Sequence, residues 1–356
     1  MKISAFILAI LLLASQATAK EYLTLLAWEG YVSKDDLITI NHELERRHIP
    51  YSIRLHPENA SNAEQMYDLL RTAQIDIAFV TLSFFKGYQG DFFKVLQPIN
   101  SQSPALTQYQ AISAQLTHLP DGSADGKPYY IPFAQGSYGF YLNRNRYPEL
   151  KAPASVAELW SEDYRGKFSL CRAQPIYNMG LTLQSLGLSP LALNQAYADG
   201  GRDQVLSMAK EGTVIDQQFH RLYAQAGAFW DDSPNLDQPG IAIVSSWGPE
   251  MAAARNRGEQ WEKIQFKEGD MTWLDTLAFS RRLKAGKLLA AEIAANYFIS
   301  PEYQAGLAQA LNLNSVLTQA PEPTEAAAIL VPAAPNVVNN FIDIRAGAAL
   351  RQTLKQ

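Results

Sequence analysis

A chain of 356 residues with 47% hydrophobic and 18% charged residues is long enough for two domains of ordinary size. Its formal net charge of -5 is spread along the sequence with no basic stripe, which argues against a nucleic-acid partner and makes cations natural ligands. Cys171 is the only cysteine, so an intramolecular disulfide is impossible and stability must come from packing.

The chain opens with Lys2, an apolar run from Ile3 to Leu13, and Ala17-Thr18-Ala19 as a small-x-small cleavage site. This reads as a cleavable export signal over residues 1–19, leaving a mature chain from Lys20 in the bacterial periplasm. The run is shorter than the roughly 20 residues of a membrane span, although a single-pass anchor is the alternative. No cysteine follows Ala19, which speaks against a lipid anchor.

Tyr22 to Ala27 is a strand candidate, and Ser33 with Asp36 has capping-box spacing ahead of a helix with Leu37, Ile40 and Leu44 on one face. Ile53 to Leu55 alternates like a strand. Ser61 with Glu64 forms a second capping box, opening a helix that buries Met66, Leu69 and Leu70; Ile75 to Val80 is then an apolar strand. Strand, helix, strand, helix, strand is the pattern of a parallel sheet covered by helices. Ligands bind such sheets outside the carboxyl ends of the strands, which singles out the turns after Ala27 and after Val80.

Asp121 to Lys127 is a polar loop. Gly136 to Leu142 and Phe168 to Cys171 are further strands, Met179 to Leu186 a helix, Ile241 to Val244 a strand, and Met251 to Asn256 a helix. Thr276 to Phe279 is a last strand before a helix-rich end, and Pro321 and Pro323 mark a linker at Ala320–Pro323. The five histidines show no metal-ligand spacing, and no HExxH, phosphate-loop or GxSxG motif is present. Cys171 is expected to be a buried core thiol. No enzyme, cofactor or metal is therefore expected.

Several stretches carry a resemblance. They are Leu26-Ala27-Trp28-Glu29-Gly30-Tyr31, Ile131-Pro132-Phe133, Ser155 to Trp160 running into Tyr164-Arg165-Gly166-Lys167, and Gly269 to Ala278 (GDMTWLDTLA). In this order the chain resembles the periplasmic spermidine/putrescine-binding proteins over roughly residues 22–315. The resemblance implies an α/β fold: a two-lobed periplasmic binding protein of type II, each lobe a mixed sheet flanked by helices, with two hinge crossings near Phe133 and Asp270. Lobe one is then expected over 20–133 and 271–325, lobe two over 134–270, and a C-terminal helical tail over 326–356.

A polyamine alternates ammonium groups with methylenes, so its site needs carboxylates for the charges and aromatic faces for the chain. Trp28, Glu29 and Tyr31 correspond to the family's ligand-contacting turn, although edge packing is the plain alternative for the two rings. Trp273 and Asp275 lie two apart on a strand and share a face; the resemblance gives Trp273 the stacking role and Asp275 the ammonium. Trp247 corresponds to another aromatic wall. Thr81, Ser83 and Phe84 end the third strand, where a simple loop is the alternative, and Asp231 or Asp232 is a further acid or just a solvated one.

Gln174 and Tyr177 stand where the family carries an acidic pair, and Arg172 adds a positive charge nearby. Losing a carboxylate partner for a buried ammonium costs several kcal/mol unless Asp231, Asp232 or Glu250 replaces it. A shorter, less charged or zwitterionic amino-acid-like ligand, its carboxylate on Arg172 and the adjacent helix N-terminus, is the other outcome. The expected partners are a small cationic polyamine and an inner-membrane permease of an ABC uptake system. A membrane-bound cyclic-di-GMP enzyme served by a sensing receptor subunit is the alternative, and the chain is expected to be a monomer.

Overall fold

The computed structural model describes residues 21–87, 92–318, 329–331 and 334–354. The expected signal segment and the linker at 320–323 lie outside them. The first expected strand forms as β1 (Glu21–Leu26), whose last four residues are buried. Ser33 closes a full capping box on α1 (Lys34–Arg46): the Asp36 N–H donates to Ser33 Oγ and the Ser33 N–H to Asp36 Oδ2. β2 (Tyr51–Leu55) pairs parallel with β1.

The next helix, α2 (Ala63–Arg71), buries Met66, Leu69 and Leu70 as expected but is capped one residue later, by Asn62 accepting from the Gln65 N–H at 2.9 Å. Ser61 instead donates its backbone N–H and hydroxyl to the Gln65 side chain, so the expected Ser61/Glu64 box does not form. β3 (Ile77–Thr81) is buried throughout and parallel to β1, followed by a single turn, α3 (Phe84–Gly87). Asp121 to Lys127 folds into a minimal hairpin, Ser123–Ala124 against Lys127–Pro128.

The stretch expected as one strand from Gly136 to Leu142 is two. β4 (Ile131–Ser137) ends in the first sheet, and β5 (Gly139–Asn143) begins in another. The break falls at Tyr138, whose hydroxyl lies 3.1 Å from Asn178 and Ser245 in the second core. β6 (Ser169–Cys171) leads into α4 (Pro175–Ser185), which starts before Met179 because Pro175 suits the first helical position; Leu186 is its C-cap. Two helices follow that the sequence reading left out. They are α5 (Ala192–Ala209), kinked at Gly200 and Gly201, and α6 (Val214–Gln225).

β7 (Ala228–Trp230) pairs parallel with β6. β8 (Ile243–Ser246), α7 (Pro249–Asn256) and β9 (Trp261–Lys263) complete this part, β8 and β9 flanking β5. The chain then returns as β10 (Met271–Phe279), longer than expected, inserted antiparallel between β3 and β4. α8 (Ala285–Phe298), α9 (Pro301–Leu311) and β11 (Asn314–Ser315) follow on the same side. The first sheet runs β11-β4-β10-β3-β1-β2, with β12 (Ile329–Leu330) also on β10.

One core, from Leu23 to Val316 in sequence, lies around this sheet; separate cores lie around β5–β8 and around α4–α6. The chain passes between them at Tyr138 and again between Met271 and Trp273. A third passage, beyond the two expected, lies between Val316 and Val331. The last helix, α10 (Asn336–Thr353), lies within the expected helical tail, and its Val338, Ile342, Ala346 and Ala349 complete the core of α4–α6. Arg345 clamps it there, donating to Asp216 on α6 at 2.7 Å. Among the described residues no helix is long and apolar enough to cross a membrane.

Candidate functional site

β10 enters the first sheet at the point where the cores meet, and it carries the central acid. Asp275 stands directly across from Thr81 on β3, so the two side chains share a face and the Thr81 hydroxyl donates to Asp275 Oδ1 at 2.6 Å. Tyr31 donates to Oδ2 at 2.7 Å. Asp275 is 4% exposed, and among the described residues no cationic side chain pairs with it. Burial pushes its pKa up to about 6, while the bonds from Thr81 and Tyr31 pull the other way. The result is a buried carboxylate with two fixed donors and no counter-charge.

Tyr31 reaches it from behind. The turn after β1 closes with the Tyr31 N–H on the Trp28 carbonyl at 3.2 Å, through Gly30 at φ +79°. This leaves Glu29 exposed and drives the Tyr31 ring into the first core against Phe79 and Phe133. Burial first, and then the Asp275 charge, hold the Tyr31 hydroxyl far above its usual range. Trp28, half-buried, faces Phe84 with ring centroids 6.4 Å apart; Phe84 is buried and Ser83 half-buried.

Trp273, 7% exposed, lies over Gly136, its partner on β4: a β-carbon there would come within 2.2 Å of the ring. Opposite, Trp247 packs against both the first and the second core. Its ring centroid lies 4.8 Å from Tyr138, 4.9 Å from Tyr177 and 5.9 Å from Trp230. Tyr177 is buried in the first turn of α4. Desolvation raises its pKa most, and the Asp275 charge raises it further, so the acid acts across the boundary between cores. Gln174 is the N-cap of α4 and makes no side-chain cap bond.

The remaining charges are committed elsewhere. Arg172 grips Asp231 with two bonds, Nε to Oδ1 at 2.7 Å and Nη2 to Oδ2 at 2.5 Å, on a surface where each is about half exposed. That pairing pulls Asp231 below the usual carboxylate range. Here each offsets the other's charge, where the expectation had Asp231 as a replacement acid and Arg172 as a carboxylate host. Asp232 is exposed. Glu250 accepts from Ser246 at 2.6 Å, and burial raises its pKa.

Trp28, Thr81, Phe84, Tyr177, Trp247, Trp273 and Asp275 thus belong to buried or half-buried groups along this boundary, Tyr31 props the acid, and Glu29 and Asp232 point to solvent. The sequence reading missed Tyr138, Trp230 and Gly136, whose parts in the site rest on partners far along the chain. A groove of about 700 Å³ opens beside α1, α8 and α9, with Gly30 and Tyr31 in its wall. There Glu43 pairs with Arg47, and Tyr297 donates to Asp36. Among the described residues no cluster of His, Cys, Asp and Glu gathers to hold a metal. Cys171 is fully buried, and burial pushes its thiol up to about 12.

The fold is shared with solved binding proteins. The spermidine/putrescine ABC transporter substrate-binding protein of Streptococcus pneumoniae matches with a TM-score of 0.69 at 16% identity, covering 94% of this chain and 99% of that one. A protein described as the Atu4243 GABA receptor matches at 0.65 and 13% identity, over 94% and 98%. A periplasmic thiamin binding protein matches at 0.60 and 14% identity, over 93% and 96%. A search of curated protein sequences finds no significant match. The profile described as bacterial extracellular solute-binding protein matches residues 65–334, more than half of the chain. The chain belongs to that family, with the α/β fold of a type II periplasmic binding protein.

Proposed function

We propose that this chain is a periplasmic protein that binds rather than catalyses, capturing a small aliphatic amine and delivering it to the membrane permease of an ABC uptake system. The observation that carries the reading is Asp275: a carboxylate 4% exposed, held by two donors and without a cationic partner among the described residues. An isolated buried charge is costly, and an incoming ammonium supplies the missing partner. Trp28, Trp247 and Trp273 offer faces to the methylenes and the charge. Family membership and the transporter named for one structural relative support the uptake role. Related folds are described as taking polyamines, GABA or thiamin, so the polyamine class implied by the sequence resemblance defines the first ligands to try.

In this reading the two bodies of core are lobes hinged at Tyr138 and at Thr272, and ligand holds them together across Trp247. The signal at residues 1–19 exports the chain, which acts as a monomer. The test is the melting temperature of residues 20–356 against putrescine, spermidine, spermine and monoamines. A ligand that binds the native state alone raises it with the logarithm of its concentration. A rise with an ammonium compound that disappears in Asp275→Asn supports the reading; no rise with any amine overturns it.

A further inference from the structure

Five tryptophan indoles can be followed to their surroundings, and they divide sharply. Trp160 donates to the Gln218 carbonyl at 2.9 Å, Trp230 to Ser245 at 3.0 Å and Trp261 to Glu259 at 2.8 Å. The indole N–H groups of Trp28 and Trp273 are buried, and among the described residues neither meets an acceptor. Buried donors without partners are uncommon and carry a desolvation penalty of their own. The first follows β1 and the second lies on β10; Tyr31, also past β1, and Thr81, on the strand beside β10, hold Asp275. Trp273 precedes it by two residues on β10, about 7 Å along the strand at roughly 3.3 Å per residue. Trp28 follows β1 at the same edge of the sheet, facing Phe84 just past β3.

Around Asp275 the site therefore presents an acceptor without a cation among the described residues and two idle donors; Glu250, three residues past Trp247 and bonded to Ser246, is a further, half-buried acid. A diamine presents only donors: its first ammonium can sit on Asp275, but its second finds nothing on the indoles. Arg172 and Asp231 are closed on each other, each offsetting the other's charge. The α4 N-terminus beside Tyr177 carries no side-chain cap bond at Gln174, and a helix N-terminus favours negative charge. We infer that the ligand is a short ω-amino acid, its ammonium on Asp275 and its carboxylate oxygens accepting from the Trp28 and Trp273 indoles. The inference rests on the amine-binding reading above and specifies its ligand class.

Isothermal titration of residues 20–356 tests it with 1,4-diaminobutane against 4-aminobutanoate and 1,5-diaminopentane against 5-aminopentanoate. The expected result is tighter binding of the amino acid in at least one pair, by about tenfold, the scale of one or two hydrogen bonds. Trp273→Phe keeps a ring and removes the donor, so it should shrink that ratio severalfold. A role confined to packing would weaken both members of a pair alike and overturn the assignment to the indole. Diamines binding as tightly as the amino acids, with Asp275→Asn abolishing them, would overturn this inference and leave the amine reading standing. No binding by any of the four, or binding indifferent to Asp275→Asn, would overturn both.

Discussion

The Tyr31 hydroxyl donates to Asp275 Oδ2 at 2.7 Å across a sequence separation of 244 residues, joining the first turn of the chain to its last long strand. The ring is packed on Phe79 and Phe133, so the donor is fixed before any ligand arrives. Tyr31→Phe removes a bond to a charged acceptor, of the kind that contributes about 1.5–3 kcal/mol. Amine affinity should fall by about that amount or less, and the pH midpoint of binding should rise, since the carboxylate loses a donor that favours its charged form. Titration at several pH values reads both.

Binding should fade in mild acid. Burial pushes the Asp275 pKa up to about 6, and an ammonium pairs with the charged form, so affinity is lost as pH falls through that value. Between about pH 7.5 and about pH 5 the loss should be roughly tenfold, with little change above about pH 7.5. A flat profile would take Asp275 out of the site.

The same raised pKa makes this residue costly to the empty protein. The folded state holds the Asp275 proton more tightly than the unfolded chain does, so this group lowers stability as pH rises from about 4 to about 6. Asp275→Asn should therefore leave the apo melting temperature at pH 7.5 unchanged or higher, with any gain shrinking toward about pH 5, while amine binding falls by on the order of 3–5 kcal/mol.

Gly136→Ala should damage the site without touching a polar group. The new methyl meets the Trp273 ring at 2.2 Å, so ring or strand must move. Overpacking of this kind costs about 1–3 kcal/mol, and weaker binding should accompany the lower urea midpoint.

Arg345→Ala should unseat the last helix. Arg345 and Asp216 are 11% and 7% exposed, and removing one partner of a buried pair costs about 3–5 kcal/mol. Hydrogen exchange should rise over α6 and α10 and stay near wild-type values in β1 and β3.

Local chemistry made much of this legible in advance. The Ser33 box, the buried faces of α1 and α2, and the parallel β1–β3 core follow from spacing within a dozen residues. What escaped depends on partners far along the chain. The strand expected over Gly136 to Leu142 breaks at Tyr138 because that ring is claimed by Asn178 and Ser245. The pairing of Arg172 with Asp231, 59 residues on, was likewise out of reach of local spacing. Asp275 and Trp273 were marked by the resemblance, but the support from Tyr31 behind the acid and the room made by Gly136 exist only in three dimensions. α5 carries weak apolar periodicity and is interrupted at Gly200 and Gly201, which hid it; α6 has a regular apolar face in Ile215, Phe219 and Leu222 that the sequence reading passed over.

The burial of Cys171 makes this protein a convenient optical instrument. Its thiol is sealed from solvent and resists ionisation, so maleimide chemistry passes over it and native residues add no background. Cysteines introduced at the exposed positions Ile38, on α1, and Ile344, on α10, would carry a dye pair with one fluorophore on each side of the boundary. Because α10 is bolted to the far core, energy transfer between the two dyes would show, molecule by molecule, whether the distance between the halves changes when a solute is added.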